Sequence, residues 1–178
     1  MDNDVSGLRD RLLDRAIAML EGGEPEPGIR ALARAAGVSA MAPYRHFADK
    51  AALLAAVAAR GFAMLRDALE EADGQGSDTE RLVAQGLAYI AFALAHRALF
   101  RLMFFRRCDA ADQPDAAAFA VLGRRVAAVT GGTMPEAALG CWAIVHGLAT
   151  LALDTGVTIE VAQRRAILTH HVAGITPR

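Results

Sequence analysis

From Leu8 to Glu21, apolar side chains fall at Leu8, Leu12, Leu13, Ala16, Ile17 and Leu20, the spacing of one helix face. The stripe stops at Gly22-Gly23-Glu24-Pro25-Glu26-Pro27-Gly28, a run of helix breakers. Short helical patterns follow over about Ile29–Ala36 and Ala40–His46. A long one opens behind Asp49, a good N-cap, and reaches about Asp73. Past the loop Gly74–Ser77, helices are predicted over about Thr79–His96, Ala98–Arg107, Asp115–Thr130, Pro135–Asp154 and Ile159–Ala173. Polar residues from Asp109 to Pro114 and the pair Gly131-Gly132 punctuate them. Pro135 suits a first helical position, where its missing N–H costs nothing. No period-two alternation lasts beyond a few residues, so the predicted fold is all-α. It consists of an N-terminal three-helix domain (residues 1–60) and a C-terminal bundle of about five helices (residues 61–178), linked by the long fourth helix.

The segment from Gly28 to Phe47 carries the densest local signals. Ala33 is small where two short helices must cross closely. Gly37 supplies the positive φ that ends the first of them and turns the chain. Ser39 is placed to cap the second through its hydroxyl. Two short helices joined this way form a helix-turn-helix, whose second helix is shaped for a DNA major groove. Pro43 disturbs the picture: it lacks the N–H that the Ser39 carbonyl would receive, and its ring crowds the turn. The second helix is therefore expected to start with a distorted turn or to begin later.

Ala36-Gly37-Val38-Ser39, followed by Tyr44-Arg45-His46-Phe47, Asp49-Lys50 and Leu53-Leu54, closely resembles the DNA-binding domain of TetR-type bacterial transcriptional regulators. The match covers roughly the first third of the chain. Further on, Trp142-Ala143-Ile144-Val145-His146-Gly147 is similar to the Trp-His-Gly signature of one subgroup's C-terminal domain. The resemblance implies that Tyr44 and His46 hold the phosphate backbone. It departs at Ala42-Pro43, where the family pattern has Thr-Leu, so a hydroxyl able to hold a phosphate is missing.

The residues themselves fill out the interface. Ala40, Met41, Ala42 and Pro43 open the reading segment, and none makes a bidentate base contact; Ala40 or Ala42 can touch thymine methyl groups. Arg45 either reads a guanine or meets a phosphate. Lys50, the only lysine in the chain, stands in the first turn of the fourth helix. An ammonium there is unfavourable for the helix and attractive for a phosphate. Arg30 and Arg34 add phosphate contacts or are simply solvated. Val38 and Phe47 are read as core.

Composition changes this picture little. The net charge is −1, so nothing global calls for nucleic acid. Between Arg30 and Lys50, however, four basic residues face the single acid Asp49, and such a local patch is what DNA affinity depends on. Much of the 54 % apolar content is alanine, which favours close-packed helices. Cys108 and Cys141 form no disulfide framework or metal spacing and are read as buried thiols. The polar start of the chain has no signal-peptide core. The charge-free run between Glu136 and Asp154 is slightly short of a membrane span and holds His146 and Thr150. The expectation is a cytoplasmic protein with no membrane partner, no metal and no cofactor.

In the C-terminal part, Trp142 and His146 share a helix face that Leu139, Ala149 and Leu153 extend. Gly140, Ala143, Gly147 and Thr150 form a seam of small residues, suited to a subunit interface or a tight internal crossing. Tyr89, Phe92 and His96 form a comparable face, followed by Phe100, Met103, Phe104 and Phe105. Such stripes ordinarily fill a core; the resemblance, to a family that binds small molecules in this domain, turns Tyr89, Phe92, His96, Phe100, Met103, Phe104, Trp142 and His146 into an expected ligand site. From Leu82 to Cys108 there is no acidic residue, while Arg97, Arg101, Arg106 and Arg107 cluster near the aromatic ones. An apolar effector, neutral or anionic, is expected.

Three functions compete at this point. The leading one is a sequence-specific transcriptional regulator: a homodimeric repressor on a palindromic double-stranded DNA operator, released by the effector. A protein-interaction module with weak or vestigial DNA binding is the alternative. An enzyme fits least, since HExxH, CxxC, GxSxG and phosphate-loop motifs are all lacking and adjacent His170 and His171 diverge on a helix.

Overall fold

A computed structural model describes residues 2–24, 27–105 and 116–177. Arg106, Arg107, Cys108 and the side chain of Phe105 lie outside the described residues. The described residues form eight α-helices and one 3-10 turn, with no strand. The helices are α1 (Asp2–Glu21), α2 (Ile29–Ala35), α3 (Lys50–Ala72), α4 (Asp78–Ala95), α5 (Arg97–Phe105), α6 (Ala116–Thr130), α7 (Pro135–Asp154) and α8 (Val161–Ile175). The 3-10 turn, Pro43–Arg45, lies between α2 and α3. The all-α reading is borne out.

Local chemistry accounts for most boundaries. Asp49 Oδ1 accepts the Ala52 N–H at 2.8 Å, capping α3 as its sequence position predicts. Ser77 and Glu80 cap α4 reciprocally: the Glu80 carboxylate takes the Ser77 N–H at 2.8 Å, and the Ser77 hydroxyl accepts the Glu80 N–H at 3.3 Å. Glu160 and Gln163 do the same for α8, which moves its start from Ile159 to Val161. Pro135 opens α7 as expected.

The helix expected over Ala40–His46 is not formed. The Ser39 carbonyl, denied an N–H by Pro43, accepts the Ala42 N–H instead at 3.0 Å. The Arg45 N–H then bonds to Ala42 O and the His46 N–H to Pro43 O, so the segment closes as a single 3-10 turn. Ser39 therefore caps no helix; the residue before the turn is Ala42, which makes no side-chain cap.

By their internal packing, the residues divide into two compact units. The first holds α1, α2, the 3-10 turn, α3 up to Phe62, and α5. The second holds the remainder of α3 with α4, α6, α7 and α8. The passage from one to the other runs along α3, and α5 belongs to the first unit. The Glu21 carboxylate explains part of this: it takes the N–H of Leu99 at 3.0 Å and of Ala98 at 3.4 Å, an anion from α1 on the positive end of α5. In the second unit α4 is the central helix, packed on α6, α7 and α8. Its Gly86 lets α7 and α8 approach so closely that a Cβ would stand 2.9 Å from Leu168 Cδ1 and 3.2 Å from Val145 Cγ1. Among the described helices α7 alone is long and apolar enough to cross a membrane, but its buried Ala138, Cys141, Val145, Ala149 and Leu153 are spent on packing within this unit.

Candidate functional site

The turn after α2 is built from backbone alone. Gly37 has φ +67°; its N–H bonds to Arg34 O, and the Val38 N–H bonds to Ala33 O at 3.0 Å. This pair of bonds is a Schellman closure, and the positive φ is what a side chain there would resist. Ala33 is buried, as its role at the crossing requires.

Beyond the turn, inward and outward side chains separate cleanly. Pro43 and Phe47 are buried and anchor the segment. Arg9 of α1 stacks its guanidinium over the Phe47 ring, 5.7 Å from the centroid. Ser39, Ala40, Met41, Tyr44 and Arg45 are exposed, Met41 by 68 % and Tyr44 by 40 %. Ala42 and His46 are half-buried, and the His46 ring leans on Phe47 at 6.2 Å. Arg30, Arg34 and Lys50 are exposed as well, Lys50 in the first turn of α3. All these residues belong to the first unit, where Pro43 serves as a core anchor.

The expected ligand residues divide. His96, Phe100, Met103 and Phe104 belong to the first unit. Phe100 is fully buried, Phe104 meets Phe62 edge-on at 5.2 Å, and Met103 closes on Gly61 of α3. Tyr89, Phe92, Trp142 and His146 belong to the second unit, on α4 and α7. There the Tyr89 hydroxyl and His146 Nδ1 are hydrogen-bonded at 2.9 Å, and Trp142 stacks on His146 with centroids 5.3 Å apart. The Trp142 side chain also hydrogen-bonds Tyr89. An indole only donates, so Trp142 gives its N–H to the Tyr89 oxygen, while the His146 tautomer sets which partner donates in the Tyr89–His146 bond. Burial drives the Tyr89 pKa well up and the His146 pKa down, so both are neutral. Burial likewise raises the Cys141 thiol.

One residue escaped the sequence reading. Gln85, one turn before Tyr89 on α4, is 2 % exposed and neither its Nε2 nor its Oε1 has a partner. A separate open groove of about 470 Å³ lies between the start of α4 and the end of α8, lined by Thr79, Val83, Arg165, Thr169 and Val172 among others. None of the expected ligand residues lines it. No cluster of metal-ligating side chains exists among the described residues.

Comparison with known proteins agrees with this geometry. Residues 12–57 match the family of bacterial regulatory proteins called tetR, and residues 82–175 match the tetracyclin repressor-like C-terminal domain. A protein of unknown function from Rhodococcus sp. RHA1 is 36 % identical, with 96 % of each chain covered and a TM-score of 0.78. A TetR family transcription regulator from Marinobacter aquaeolei VT8 is 17 % identical over the whole of both chains, with a TM-score of 0.73. A TetR variant from Acinetobacter baumannii AYE, solved in complex with minocycline, is 22 % identical over 92 % of this chain and 93 % of its own, with a TM-score of 0.64. No curated protein matches the chain. The two family matches together span both units, and the chain belongs to the TetR family of bacterial regulatory proteins.

Proposed function

We propose that this transcription regulator acts as a homodimeric repressor that leaves a palindromic operator when a small molecule binds its C-terminal half. The observation that carries the DNA part is the exposed row Ser39, Ala40, Met41, Tyr44, Arg45 and Lys50, held from behind by Pro43 and Phe47. Tyr44, His46 and Lys50 hold phosphates, Arg45 reads a base, and Met41 with Ala40 offers apolar contact to thymine methyl groups. Arg30 and Arg34 add phosphate contacts from α2. One such reader covers only a half-site, so two copies are needed, about 34 Å apart along the duplex.

The copies meet through α7 and α8. Leu139 and Leu151 on α7 and Val161 and Ile167 on α8 are large apolar residues left at least 41 % exposed, and exposed apolar surface of this kind suits an interface. The seam supports it: Gly140 lies against His171, whereas Gly147 has nothing within 4 Å and stands open to a neighbour. The effector binds in the second unit at Tyr89, Phe92, Trp142 and His146, and the C-terminal domain belongs to the Trp-His-Gly subgroup. α3 belongs to both units as one unbroken helix and carries the change of state. The site of action is the cytoplasm.

Retention of genomic fragments by the purified protein, followed by mobility shift on them, tests this reading. A dimer in light scattering and a specific shift are the expected results. A monomer of about 19 kDa, the mass of one chain, or the absence of any retained fragment, defeats it.

A further inference from the structure

Among the described residues, Gln85 is the only buried polar or charged residue, and it is also the only one with two orphaned side-chain atoms. Native proteins rarely leave both ends of a buried amide unpaired, because each costs the full desolvation of a polar group. Turning the amide over exchanges its nitrogen and oxygen and leaves the deficit unchanged. The Tyr89 hydroxyl, one turn along α4, does not answer it, being engaged with His146 Nδ1 and the Trp142 side chain. One turn in the other direction stands Arg81, half-exposed, its Nε buried and likewise without a partner.

Three kinds of ligand head group can be weighed against these orphans. An ammonium would answer Gln85 Oε1 alone and would stand near the Arg81 guanidinium. A carboxylate would answer the two donors, leave Oε1 facing an anion, and enter a layer with no other buried charge. A group with a carbonyl and an adjacent N–H answers all three: its oxygen accepts from Gln85 Nε2 and Arg81 Nε, and its N–H donates to Gln85 Oε1.

We propose that Gln85 is the recognition group of the effector site, and that the effector carries an uncharged donor–acceptor pair, as in a carboxamide, lactam or imide, on an apolar body. This rests on the reading of the second unit as effector-binding and narrows the expected neutral or anionic class to its neutral half. Tyr89, Trp142 and His146 supply aromatic walls.

The test has two arms on the full-length protein. The first needs no ligand: Gln85→Leu removes two orphaned atoms and should raise the Tm by about 3 °C, and Gln85→Met, which keeps the unbranched shape, should do likewise. The second is titration with two matched series, benzamide, benzoate, benzylamine and toluene, then octanamide, octanoate, octylamine and octane. The amides should bind the wild type about tenfold more tightly than the other members of their series, and Gln85→Leu should lose that preference while keeping the hydrocarbon. A lower Tm in both variants overturns the proposal, since the amide is then satisfied internally. Binding without amide preference, or with a preference that survives Gln85→Leu, overturns the proposal and leaves the effector reading standing. Binding of no member of either series overturns both.

Discussion

Arg125 holds Asp73 by two parallel hydrogen bonds, Nε to Oδ1 and Nη2 to Oδ2, each 2.7 Å. Its remaining nitrogen, Nη1, reaches Asp78. One guanidinium on α6 thus closes both the end of α3 and the start of α4, across the loop that joins them. The Asp73 hydrogen bonds come first among the causes that raise the Arg125 pKa, so the group stays charged at any working pH. Its side chain is only 12 % exposed, which removes it from the class of surface pairs that contribute almost nothing.

Arg125→Leu should therefore destabilise the protein by about 2 kcal/mol, between the value of an exposed pair and that of a fully buried one. Arg125→Lys should recover less than half, because an ammonium cannot hold a carboxylate with two parallel bonds. Urea denaturation of the two variants checks this. Equal stability of Lys and Arg at this position would show that charge alone, not the planar fork, closes the loop.

Gly86 sets helix propensity against packing. Alanine would gain about 1 kcal/mol as a better helix former, but its Cβ would press on Leu168 and Val145, at a cost of about 1–3 kcal/mol. Gly86→Ala should thus lose about 1 kcal/mol in the wild type. In a Leu168→Ala background the obstruction from Leu168 is gone, and the same change should be neutral or stabilising. A double-mutant cycle with no coupling would refute the close approach of α4 and α8.

Acid should weaken the second unit through His146. Burial holds its pKa below that of the unfolded chain. Above about pH 6.5 neither state is protonated and nothing is lost. As the pH falls through that value, the unfolded chain takes up a proton that the folded ring refuses, and stability declines until the folded pKa is reached. His146→Asn keeps a hydrogen-bonding partner for the Tyr89 hydroxyl and cannot titrate. Melting curves between about pH 7.5 and 5 should show the wild type losing ground to this variant; parallel curves would assign the acid sensitivity to another group.

On DNA, Lys50→Ala should weaken binding to every sequence alike and reduce the salt slope by about one unit. Arg45→Ala should alter the preferred base at one position of the half-site by about 1–3 kcal/mol. Competition binding against a randomised library at two salt concentrations distinguishes the two. Variants that bind like the parent would remove this segment from the interface.

What the sequence made legible was whatever depends on neighbours along the chain. Gly37, Asp49 and Pro135 each act within a few residues, and each sits where its chemistry predicts. The capping box Ser77-Asp78-Thr79-Glu80 was equally readable in kind. The helix over Ala40–His46 failed at Pro43, where one missing N–H outweighs an otherwise helical stretch. The membership of α5 in the first unit was hidden because Glu21 and Leu99 meet across 78 positions of chain. Gln85 was invisible for a related reason: a single glutamine in an alanine-rich helix looks like a solvated face until the neighbouring helices are in place.

The closure at Gly37 separates shape from lettering. Its bonds run from the N–H groups of Gly37 and Val38 to the carbonyls of Arg34 and Ala33, and no side chain takes part in them. The side chains of Arg34, Ser39, Ala40 and Met41 are therefore free of any duty in holding the turn. Exchanging them changes what the protein touches without changing whether the turn folds. On the proposed DNA interface, this makes the segment a natural place to redirect the protein to a new DNA sequence by substitution, with Gly37, Pro43 and Phe47 left as the fixed frame.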